Sequence, residues 1–96
     1  MLTTEQAWGR GGLMALAAFR YCLGRSTYIV SDCADWLIAN WQAMPEGTRH
    51  CIQREVEEAI KRDEDARERR EEYLPLGHDC DRAEWLRVRA LWTDAL

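Results

Sequence analysis

Residues 15–41 read ALAAFRYCLGRSTYIVSDCADWLIANW, and the spacing of their apolar side chains decides the fold. Tyr28-Ile29-Val30 taken alone suits a β-strand. The longer window argues otherwise. Ile29, Cys33, Trp36, Leu37 and Trp41 recur at i, i+4, i+7, i+8 and i+12, the spacing of a helix face. Ser26 or Thr27 can cap this helix, and Ser31-Asp32 offers a place where it can break. Upstream, Leu13, Leu16, Ala17 and Arg20 carry another helical face to Leu23, where Gly24 suits a C-cap. The run therefore predicts two helices packed around a corner at residues 19–28.

The same reading extends in both directions. Thr3 and Gln6 have capping-box spacing, so a helix can start there. Gly9, Gly11 and Gly12 interrupt it, each at a cost of about 1 kcal/mol in a helix interior. Either the first turn is separate, or a glycine-lightened helix lies close against a neighbour. Pro45-Glu46-Gly47 reads as a turn, and Thr48 as the cap of a third helix with the stripe Ile52, Val56, Ile60. Beyond Ile60 the stripe stops. Residues 61–72, KRDEDARERREE, are predicted to form a solvated, fraying helix end. Glu57–Lys61, Glu58–Arg62, Asp63–Arg67 and Asp65–Arg69 are its i,i+4 pairs. Residues 73–77 form a loop with apolar anchors. Asp81-x-x-Glu84 caps a fourth helix carrying Trp85, Leu86, Val88, Leu91, Trp92 and Leu96. The expectation is all-α: one domain over residues 1–96, about four helices in an irregular bundle, sequence neighbours antiparallel.

Composition narrows the function. Ninety-six residues make one core and leave no cleft between domains. Five tryptophans belong mostly to that core. If Trp41 and Trp92 lie on the surface, their apolar area favours a homodimer. A net charge of -4 argues against direct nucleic-acid binding, which needs a basic face. No stretch is apolar enough to span a membrane, and the N-terminus lacks a signal-peptide pattern. A cytoplasmic setting then makes Cys22, Cys33, Cys51 and Cys80 reduced thiols.

Chemistry-bearing patterns are sparse. His78 and Cys80, with His50 and Cys51, are the residue types that bind zinc, but not at its usual spacings. No glycine-framed nucleophile turn and no phosphate loop occur. The reading is a non-enzyme without a cofactor. The candidate partner site is the corner itself, where Arg20, Arg25, Ser26, Thr27 and Tyr28 surround a helix C-terminus and the next helix N-terminus. An anionic partner suits it. The simpler reading, which the residues favour, is that Arg20 and Arg25 neutralise the first helix C-terminus or pair with Asp32 and Asp35.

The stretch AAFRYCLGRSTYIVSDCADWL, followed by Glu55-Val56-Glu57-Glu58-Ala59-Ile60 and by His78-Asp79-Cys80-Asp81-Arg82-x-x-Trp85-x-Arg87-Val88-Arg89, resembles small proteins encoded by tailed bacteriophages and prophages of proteobacteria. The resemblance runs from about Ala15 to Trp92. It implies a phage origin and a place in the host cytoplasm, and it assigns no site residue. Phage accessory proteins of this size are commonly interaction proteins that block host complexes, inhibitors of CRISPR–Cas effectors among them. The function implied is an anti-CRISPR-like inhibitor that binds a host protein or nucleoprotein complex by steric or electrostatic occlusion. The alternatives are a DNA-associated phage regulator, with Arg87 and Arg89 or the 19–28 corner on phosphate, and a metal- or thiol-dependent enzyme.

Overall fold

The computed structural model describes residues 10–12, 14, 17, 27–77 and 79–93, with backbone alone at 27–29. It is all-α, a small bundle, as expected. Helical backbone at 10–12, 14 and 17 precedes α1 (Thr27–Asn40), a 3-10 turn (Trp41–Ala43), α2 (Glu46–Glu68) and α3 (Asp79–Thr93). None of the described helices is long and apolar enough to cross a membrane.

α1 runs unbroken through Ser31-Asp32. Its buried face is Val30, Ala34 and Leu37, at i, i+4 and i+7, and Trp41 in the 3-10 turn continues it. This face is rotated from the expected one: Cys33 and Trp36 are half-buried on its flank. Trp36 has a particular neighbour there. A Cβ on Gly11 would lie 3.0 Å from the indole. A Cβ on buried Gly12 would collide with the Met44 sulfur and lie 3.2 Å from the Thr48 methyl. The glycines thus let the N-terminal helical residues sit directly on α1 and on the start of α2, the second of the two options in the sequence.

α2 starts two residues before the expected cap. Pro45 takes the N-cap position with extended backbone (φ -58°, ψ 149°) and no side-chain cap bond. Proline's fixed φ suits the entry to a helix, and Glu46 adds a carboxylate near the positive end of the dipole. The apolar stripe is Ile52, Val56, Ala59 and Ile60, and it does not stop there. Asp63 and Ala66 continue it into the charged run, at 0% and 3% exposure. The expected solvated, fraying end is therefore a helix with one buried edge. Of its anticipated pairs, Asp63–Arg67 forms, and Lys61 reaches forward to Asp65 at 3.1 Å.

α3 lies against both other helices. Asp35 meets Arg87 and Trp41 meets Trp92, so α1 and α3 run the same way. Glu57 meets Trp92 and Asp63 meets Arg82, so α2 and α3 are antiparallel. The expected antiparallel order thus holds for α2 and α3, whereas α1 and α3 pair in parallel because the chain reverses twice between them. α3 begins at Asp79, which puts Asp81 in its first turn rather than at the cap. Asp81 is buried, and Glu84 binds Arg87 at 2.6 Å instead of closing a capping box. Trp85 and Val88 fill the core at 1% and 0% exposure, with Leu86, Leu91 and Trp92 packed around them. Leu96 lies outside the described residues. Trp41 and Trp92 stack with centroids 5.4 Å apart, and the Trp92 indole N–H donates to Glu57 at 2.9 Å. They do not form the exposed apolar surface that would have favoured a homodimer.

Candidate functional site: a loop held by a buried aspartate

The most constructed polar feature joins the end of α2 to the start of α3. α2 ends in a double capping bond. Arg70 N–H donates to the Arg67 carbonyl at 3.1 Å and Glu71 N–H to the Ala66 carbonyl at 3.0 Å. This pattern requires a left-handed residue just after the cap, and Arg70 takes that role at φ 57°. Glycine usually stands there, because a Cβ strains the conformation. The chain then exposes Glu71, Glu72 and Tyr73 before turning again at residues 74–77. Pro75 presets the second turn position, Gly77 N–H donates to the Leu74 carbonyl at 2.9 Å, and Gly77 has φ 68°.

Asp63 fastens this loop from inside. Its carboxylate is fully buried, so its charge must be matched. One oxygen accepts from Arg67 Nε at 2.8 Å and Arg82 Nε at 3.1 Å. The other accepts from the Leu76 backbone N–H at 3.1 Å. Arg67 also donates to the Gly77 carbonyl at 3.3 Å and lies 3.5 Å from an Asp79 oxygen. The hydrogen bond that Arg67 donates to Asp63 is the main reason its guanidinium is held above its ordinary range. One carboxylate thereby ties α2, the loop and α3 together. Leu76, 1% exposed, drops into the core beneath it.

At the outer end of this framework Tyr73 is 78% exposed. The expected apolar anchor of the loop is therefore Leu76, while Tyr73 faces outward between charged neighbours. An exposed tyrosine offers a ring face and a hydroxyl to a contact.

Of the corner residues expected to bind a partner, Arg20, Arg25 and Ser26 lie outside the described residues. Thr27 and Tyr28 open α1, and only their backbone is described. Asp35, one proposed partner of the corner arginines, is engaged by Arg87 at 2.7 Å. Arg87 also donates to Glu84 at 2.6 Å, and the Glu84 hydrogen bond first, then Asp35, raise its guanidinium above the ordinary range. His78 lies outside the described residues, Cys80 is exposed at the start of α3, His50 is exposed and Cys51 half-buried. Among the described residues no three or more His, Cys, Asp or Glu side chains gather as metal ligands would.

The clamp was only half visible in the sequence. Asp63–Arg67 has the spacing of a surface pair. The missed signal is that Ile52, Val56, Ala59, Asp63 and Ala66 step by four and three, which places Asp63 on the buried stripe. Compared with known protein families, curated proteins and solved structures, the chain matches none.

Proposed function

We propose that the protein is a small phage-encoded interaction protein that inhibits a host defence complex by occupying its surface, an anti-CRISPR-like role in the host cytoplasm. The observation that carries this reading is Tyr73, 78% exposed on a loop that a buried carboxylate holds in place. Functional residues concentrate on loops positioned by a rigid scaffold, and tyrosine is enriched among the residues that dominate binding energy. Exposed Glu71 and Glu72 beside the ring suit a partner whose pocket has a basic rim, as nucleic-acid-handling proteins do. The phage resemblance supports the setting. The corner at Arg20, Arg25, Ser26, Thr27 and Tyr28 is a second contact in this proposal.

A DNA-associated regulator is less well supported, because Arg87 is committed to Asp35 and Glu84. The test is affinity purification of the tagged protein from a host lysate carrying a CRISPR–Cas system, followed by mass spectrometry at moderate salt. A stoichiometric Cas subunit or other defence protein supports the proposal. Tyr73→Ala then lowers retention by about tenfold or more while the thermal midpoint stays put. Arg25→Glu reports separately on the corner. Recovery of DNA alone, or of nothing, counts against the inhibitor.

A further inference from the structure

A second exposed feature shares no residue with the Tyr73 loop. Met14 is 73% exposed, unusual for so large an apolar side chain. Beside it lies an open, almost wholly apolar hollow lined by Gly11, Met14, Asp32, Cys33 and Trp36. Gly11 makes the hollow possible, since its missing Cβ would sit 3.0 Å from the Trp36 ring. The face also carries both signs of charge. Asp32 is exposed on the lining, and Arg10 is exposed four residues before Met14 in helical backbone, the spacing of side-chain neighbours on one face. Neither has an ion-pair partner among the described residues.

We propose that this face binds a second copy of the chain about a twofold axis. Met14 of each copy enters the hollow of the other, and Arg10 of each faces Asp32 of the other. A twofold interface must be complementary to itself. A projecting side chain next to a hollow, and a cation next to an anion, satisfy that condition on one patch. Methionine is suited to the role because its unbranched, polarizable chain adapts to an irregular cavity. The dimer uses neither Trp41 nor Trp92, which stack on each other within one copy. It does not use the Tyr73 loop, on which the proposed inhibitor role chiefly rests.

Sedimentation velocity of the full chain over a roughly hundredfold range of concentration tests the dimer, because self-association depends on protomer concentration. Wild type should pass from monomer to dimer. Met14→Asp should raise the dissociation constant by about tenfold or more. Asp32→Arg should also weaken the dimer, and Arg10→Asp with Asp32→Arg should restore it. Circular dichroism melts of each variant separate loss of the interface from loss of fold. Should Met14→Asp unfold the chain, the charge pair decides alone, as both side chains are exposed. A wild type that stays monomeric at the highest concentration overturns the proposal. So does a dimer indifferent to Met14→Asp in a folded variant, or a charge reversal that the double variant fails to rescue. Tyr73→Ala should leave the dimer intact, so failure here and failure of the inhibitor reading are told apart.

Discussion

Asp63 is the residue on which the α2–α3 connection depends. It is buried among two arginines and one backbone N–H, so removing it leaves three donors without their acceptor. Asp63→Ala should cost about 3 kcal/mol, the low end for breaking a buried ion pair, because Arg67 and Arg82 can rehydrate. Asp63→Asn should cost less, since it keeps an acceptor for Leu76. Urea unfolding of the two variants measures this, and equal losses would show that charge, rather than the Leu76 bond, is what matters. The arginine side of the network has its own pH signature. The folded Arg67 guanidinium sits above its ordinary range. Its contribution is fully present below the unfolded-state pKa and is lost only as pH rises through the still higher folded value. The difference in thermal midpoint between wild type and Arg67→Gln should therefore stay constant from about pH 6 to pH 10. A difference that shrinks within that window would contradict the assignment.

Among the elements, the ends and contacts of helices hold the residual strain. Arg70 occupies a left-handed position that glycine fills without penalty. Arg70→Gly should stabilise the protein by roughly 0.5–1 kcal/mol, after the greater unfolded-state freedom of glycine is subtracted. A lower thermal midpoint would mean that the Arg70 side chain contributes more than its exposure suggests. Gly12 presents the opposite case. Its neighbours Met44 and Ile52 are 2% and 0% exposed and cannot swing aside into solvent. Gly12→Val should cost about 1–3 kcal/mol through overpacking against α2, read as a lower urea midpoint.

For the whole molecule, one core is shared by three helices, with the buried Gly12 set against Met44 and Ile52 at its edge. Trp85, 1% exposed, sits inside it. Trp85→Ala should cost about 3–5 kcal/mol, a large part of the stability expected of a small domain. Trp36 is half-buried on the rim, so Trp36→Ala should cost clearly less and should open the Met14 hollow. A larger loss at Trp36 than at Trp85 would place the core on the other side of α1. Calorimetry or urea unfolding of the pair decides it.

Sequence periodicity determined that the protein is helical, because an apolar side chain every three or four residues is a local property. Thus Ile52, Val56 and Ile60, and Trp85 with Val88, were legible as core. What tertiary structure decided was everything that depends on a residue far along the chain. The α1 face turned toward Val30 and Ala34 because α3 packs along α1 and brings Trp85 and Val88 into the shared core. Trp41 and Trp92 became partners rather than surface because α1 and α3 run parallel. Asp63 changed from a solvated charge to a buried clamp because Leu76 and Arg82, thirteen and nineteen residues on, supply the donors that make its burial affordable. An i,i+4 spacing records only the nearest of those donors, and so the loop that presents Tyr73 could be read only from the folded chain.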